Sequence, residues 1–118
     1  MVTIEQLAEA ALQRDSLLLR SLTQDLLHET PHLSDVPRPA NDDPRVLSTA
    51  AALIELLAIR QQQPPPTWAC EIGPLPEPFF LVEAAESMTR LRVLCETQAP
   101  EPMRRRRLYA PPNFLTFG

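Results

Sequence analysis

Lysine is absent from this sequence, glycine occurs twice in 118 residues, and no apolar run is long enough to cross a bilayer. Each absence removes a class of function. Loops that cradle phosphate need glycines close together, whereas Gly73 and Gly118 stand alone, which excludes nucleotide-loop enzymes. The same shortage, set against fourteen prolines, disfavours type I′ hairpins. It predicts turns built by proline and by Asn, Asp and Ser chemistry rather than by residues with positive φ. No signal peptide precedes the first helix pattern, so a cytoplasmic protein without membrane attachment is expected. In that setting Cys70 and Cys95 read as free thiols, better explained as small apolar residues than as a disulfide or metal ligands.

What is present points to helix. The apolar fraction is 44%, delivered mainly by Leu and Ala, with few β-branched residues. A chain of this length fits one domain and can bury roughly two-thirds of its unfolded surface. Charge is polarised: residues 1–103 hold 7 Arg against 15 acids, a balance of −8, while residues 104–118 hold 4 Arg and no acid. An acidic body is a poor non-specific ligand for DNA, which needs a concentrated positive face.

The local signals order themselves into an all-α bundle of four to five helices with proline-rich loops. Thr3 and Gln6 form a capping box, and Ile4, Leu7, Ala8 and Ala11 then share one face of a helix to about Arg14. Asp15 caps a second segment striped by Leu18, Leu22 and Leu26, which Pro31 ends. A break or kink at residues 14–16 is favoured over one long helix. Residues 29–43 should then run extended across the helices. Asp43 as N-cap with Pro44 at the first helical position is the clearest signal, opening a helix to about residue 61 that is apolar around most of its circumference. It should be the central one.

After Pro64-Pro65-Pro66, the apolar Trp68, Ile72 and Leu75 give the loop its own anchors. Glu77 and Pro78 predict the start of a fourth helix carrying Phe79, Phe80, Val82, Ala84, Ala85 and Met88, with a bend before a segment over residues 89–97. Pro102 can open a last short turn. No internal repeat appears.

Candidate motifs fare poorly against simpler readings. Thr3 to Ala8 begins as helix-turn-helix motifs do, yet Ala11 and Leu12 stand where a permissive turn residue is needed and the second helix offers mostly leucine, so an amphipathic packing pair is preferred. His28 and His32 have zinc-ligand spacing, but Pro31 breaks the helix that would align them. Glu83 and Glu86 read as a solvated helix face rather than an acid/base couple. No nucleophile is paired with a base, and neither catalysis nor a cofactor is expected.

The C-terminus is the feature that stands out. Arg104, Arg105, Arg106 and Arg107 are contiguous, and Tyr109, Phe114 and Phe117 place three of the six aromatic residues in the last ten positions. Two readings stay open for a domain of residues 1–103 followed by a tail of residues 104–118. The tail wraps back onto the chain's own core, or Tyr109, Phe114, Leu115 and Phe117 anchor a partner whose acidic or phosphate-bearing rim meets the arginines.

Pro37-Arg38-Pro39-Ala40, Asp43-Pro44, Gly73-Pro74-Leu75-Pro76-Glu77-Pro78 and Ala110-Pro111-Pro112-Asn113-Phe114-Leu115 resemble segments of a set of short, uncharacterised bacterial proteins. Genes of that set stand beside genes for nucleotidyltransferase-like proteins. The resemblance spans most of the chain and brings no defined site residues with it. It implies an antitoxin-like subunit that binds and neutralises a nucleotidyltransferase-like toxin. An autoregulatory DNA binder using the N-terminal helix pair and a homo-oligomeric scaffold are the alternatives.

Overall fold

A computed structural model describes residues 2–115 of the chain. Its fold is all-α, built on a central helix that is apolar around most of its circumference. That helix, α3 (Pro44–Arg60), follows α1 (Ile4–Leu12) and α2 (Ser16–Glu29). It starts where Asp43 accepts the Arg45 backbone N–H at 3.0 Å, with Pro44 in the first turn. Residues 48–58 are all buried, Glu55 among them. α1 lies along α3 and α2 packs on α1, so Ile4, Leu7, Ala8 and Ala11 meet Leu53, Ile54 and Leu57 in one core. The capping box forms: Gln6 N donates to Thr3 Oγ1 and Thr3 N to Gln6 Oε1.

α1 ends two residues short of Arg14, and the break at residues 14–16 is present. Arg14 adopts φ 60°, donating its N–H to Ala11 O, while Asp15 donates to Ala10 O and caps α2 through Leu18 N. This is a Schellman motif with arginine in the left-handed position. The end of α3 repeats it: Gln62 has φ 56° and donates to Ile59 O, and Gln63 donates to Ala58 O. Arg107 and Leu115 also lie at positive φ, 63° and 62°. The expectation that turns would avoid positive φ is therefore overturned. With glycine scarce, ordinary residues occupy the left-handed region at a conformational cost of about 1–2 kcal/mol each, and the hydrogen bonds around them hold them there.

The connection between α2 and α3 is not extended throughout as expected: a 3₁₀ turn over Leu33–Asp35, which buries Leu33, interrupts it. Gln63 ties it down, accepting from Leu33 N at 2.9 Å and donating to Pro31 O at 3.1 Å, and Trp68 Nε1 donates to Val36 O at 2.8 Å. Trp68 belongs to a single turn, α4 (Thr67–Cys70); Leu75 is buried, with Trp68 and Ile72 packed against the core.

The helix expected from Glu77 onward does not form. Phe79–Phe80 is a short strand, β1, and residues Glu83–Glu86 make a 3₁₀ turn before α5 (Thr89–Gln98). The reason lies far along the chain. After α6 (Glu101–Arg104), β2 (Leu108–Tyr109) pairs parallel with β1, Phe79 opposite Leu108 and Phe80 opposite Tyr109. Phe79 N donates to Arg107 O and Leu81 N to Tyr109 O, both at 2.9 Å, so the backbone groups a helix would use are already taken. No helix among the described residues is long and apolar enough to cross a membrane.

Candidate docking groove

The four C-terminal arginines do different things. Arg106 is 2% exposed: Nε donates to Ile72 O, Nη1 to Pro102 O and Nη2 to Ala69 O, at 3.2, 3.0 and 2.8 Å. The same Nη2 pairs with Glu55 Oε1. Burial pushes the Arg106 guanidinium below its usual value, opposed by the Glu55 carboxylate. Arg105, half-exposed, donates to Glu55 Oε2 at 2.7 Å and approaches Glu101 at 3.8 Å. Arg104 closes on Thr97 O at 2.9 Å and Arg107 on Pro76 O at 2.9 Å, both from exposed positions. Glu55, on the central helix, thus collects two of the four charges. Glu55, Arg105 and Arg106 border a cleft of about 270 Å³ reached also by Cys70 and Pro74.

The aromatic part of the tail divides as well. Leu108 and Ala110 are fully buried, and Tyr109 sits half-buried with its ring 5.5 Å from that of Phe80. Residues 104–115 therefore pack on the domain. Phe114 rests partly buried against the core and Leu115 is 7% exposed; Phe117 lies outside the described residues.

Phe114 and Leu115 form one wall of a larger opening, about 320 Å³, whose other walls are Ala10, Ala11 and Leu19 at the α1–α2 corner and Leu81 and Val82 after β1. Its floor is apolar and its mouth carries Arg14, Asp15, Ser16, Glu83 and Asn113. Local sequence explains each wall. The left-handed Arg14 turns α2 back on α1, the β1–β2 pairing carries Leu81 and Val82 alongside, and positive φ at Leu115 directs the chain against both.

Arg14 holds the corner together. Its Nε donates to Phe80 O at 3.1 Å, its Nη2 to Glu86 Oε1 at 2.7 Å, and its guanidinium lies 5.2 Å from the Phe79 ring centre. The hydrogen bond and charge of Arg14 draw the Glu86 carboxyl below its usual value. With Arg14 so engaged, the acids Asp15 and Glu83 set the sign of the rim. Between the lining residues Ser16 and Leu19, Leu17 and Leu18 stand 79% and 42% exposed.

Of the described residues singled out in the tail, only Phe114 and Leu115 line this groove. The Asp15, Leu81, Val82 and Glu83 contributions were missed, because they meet through the β1–β2 pairing, which no local pattern announces. His28 and His32 are exposed, and no group of three or more His, Cys, Asp or Glu side chains gathers among the described residues.

The fold and the groove define a small all-α protein with an apolar, acid-rimmed concavity beside exposed leucines. No family model, curated protein or solved structure matches the chain.

Proposed function

We propose that this chain is a non-enzymatic, antitoxin-like subunit that binds a protein partner, of the nucleotidyltransferase-like kind to which the sequence resemblance points. The groove carries this reading. Its apolar walls, among them Leu19, Leu81, Val82, Phe114 and Leu115, enclose room for a few large side chains, and the same helix exposes Leu17 and Leu18 between the lining residues Ser16 and Leu19. Apolar anchors entering a concave, partly dry site supply most of the energy of protein recognition. Placing the anchor here also revises the role of the basic tail. Arg106 and Leu108 serve the interior, so the partner would meet Phe114, Leu115 and the exposed Arg104 and Arg107 rather than the whole segment. Silencing would follow from covering the partner's substrate or metal site.

The test is co-expression and co-purification with the product of the gene adjacent to this one, which the proposal requires to be nucleotidyltransferase-like. The wild-type chain should retain the partner. Val82→Asp and Glu83→Arg should each reduce retention at least tenfold while circular dichroism stays unchanged. Retention indifferent to both substitutions would remove the groove from the interface.

A further inference from the structure

Residues 82–99 are fastened to the molecule differently from the rest. They comprise the 3₁₀ turn Glu83–Glu86 and α5, which pack chiefly on each other. Ala85, Cys95 and Ala99 are buried, yet none of them joins the apolar core that unites α1 and α3 with Met103 and Leu108. Of the ten residues of α5 only Cys95 is buried, and Met88 at its N-terminus makes no side-chain capping bond. The backbone hydrogen bonds described for the stretch stay inside it: Ala85 N to Val82 O, Met88 N to Ala84 O, Ala99 N to Cys95 O. Its polar ties to the body are arginine side chains. Arg14 reaches Glu86 at 2.7 Å from the α1–α2 corner, Arg104 donates to Thr97 O at 2.9 Å from α6, and Arg92 leans back over Phe80, 5.2 Å from the ring centre. Exposed ties of this kind contribute little each. A segment with few buried apolar contacts and solvent-facing ties opens at a lower free energy than the core beside it.

Val82 and Glu83, the first two residues of this stretch, line the groove. Leu81 just before them is anchored, its N–H donating to Tyr109 O and its side chain buried in the main core. The boundary between the body and the weakly held unit therefore runs through the lip of the groove. A ligand that needs this lip in place stabilises the folded unit by mass action.

We propose that residues 82–99 form a clasp, a unit that unfolds locally while the groove is empty and is held folded when a protein partner fills it. The inference rests on the reading of the groove as a docking surface. It adds a regulation of that site: occupancy is transmitted to α5, none of whose residues lines the groove. Arg14 joins the two, since it lines the groove and also holds Glu86. Cys95, inside the unit, meets a thiol reagent only as α5 unfolds.

The experiment is hydrogen exchange read by mass spectrometry, on the whole chain alone and in complex with the product of the adjacent gene. In the free chain the amides of α5 should exchange through one common opening, on the order of a hundredfold or more faster than those of α3. Glu86→Ala and Arg104→Ala, which cut one tie at each end of the unit, should each speed α5 exchange roughly threefold. Exchange in α3 should not change, which shows that the variants remain folded. In the complex, α5 exchange should slow roughly tenfold or more. Protection of α5 equal to that of α3, amides that fray independently from the helix ends, or exchange indifferent to both substitutions overturns the proposal. If capture depends on Val82 but α5 exchanges equally fast in the complex, the clasp alone fails. If α5 obeys the two substitutions while capture ignores Val82→Asp, the docking reading of the groove fails instead.

Discussion

At the scale of single residues, the side chain most at odds with its sequence context is Arg106. It sits in a run of four arginines, where solvent exposure would be the default, yet its guanidinium joins three carbonyls and a carboxylate inside the molecule. Arginine suits this position because its planar fork presents five donors in fixed directions; a lysine ammonium keeps the charge but cannot span the three carbonyls. Replacing it leaves Glu55, 8% exposed, without its buried partner. Arg106→Ala should therefore cost about 3–5 kcal/mol in urea unfolding, and Arg106→Lys should recover only part of this. Arg104→Ala, two residues away at the surface, should change stability by no more than about 0.5 kcal/mol. Nothing within residues 104–107 distinguishes these four by sequence; the choice is made by Glu55, which lies 51 positions before Arg106.

The two cysteines divide in the same way. Cys70 is exposed and Cys95 fully buried, and burial, reinforced by Glu96, pushes the Cys95 thiol above its ordinary value. The folded state then holds a proton that the unfolded state releases as pH climbs past the ordinary thiol range, so stability falls with rising pH over that window and is intact below it. Cys95→Ala should flatten this alkaline slope in a pH series of urea melts. A thiol reagent should titrate Cys70 at once and Cys95 only on unfolding.

Among the elements, those specified by neighbours in sequence were legible and those specified by distant partners were not. Thr3 with Gln6, Asp15, and Asp43 with Pro44 each fix a helix start through bonds spanning three residues or fewer, and α1, α2 and α3 begin where they predict. Pro78 was read by the same local rule and misled. The following backbone groups pair with residues about 28 positions further on, and Phe79 and Phe80 suit a strand as well as a helix. Helix ends were less legible than helix starts, because the left-handed closing residues are Arg14 and Gln62 rather than glycine. These two positions support opposite outcomes for one substitution. Gln62 is exposed and contributes no side-chain bond among those described, so Gln62→Gly should stabilise by about 0.5–1 kcal/mol. Arg14→Gly relieves the same strain but loses Phe80 O, Glu86 and the Phe79 ring, and should destabilise. Parallel thermal melts of the two variants check the contrast; a gain at Arg14 would mean that its contacts do not hold the groove's corner.

For the molecule as a whole, the decisive question is what the last dozen described residues close. Composition marked them as a segment to be covered but left the cover open between this chain and another. Met103, Leu108, Ala110 and Leu115 join α1 and α3 in one apolar core, and the backbone from Leu75 to Leu81 is bonded to residues 106–109 at three points. A chain ending after Met103 thus loses β2, orphans β1 and leaves Glu55 unpaired. Burial of Leu108 is worth about 1.5–3 kcal/mol and the Glu55–Arg106 pair about 3–5 kcal/mol when broken from one side. A domain of this length has roughly 6–18 kcal/mol in total, so the deletion removes a large share of the stability at once. The shortened protein should lack a cooperative thermal transition and show reduced helical circular dichroism, and its failure to retain any partner would follow from unfolding. Should it instead keep a sharp melt near that of the full chain, residues 104–115 would be an accessory arm rather than the closing piece of the core, and the groove they help to wall would have to be stable without them.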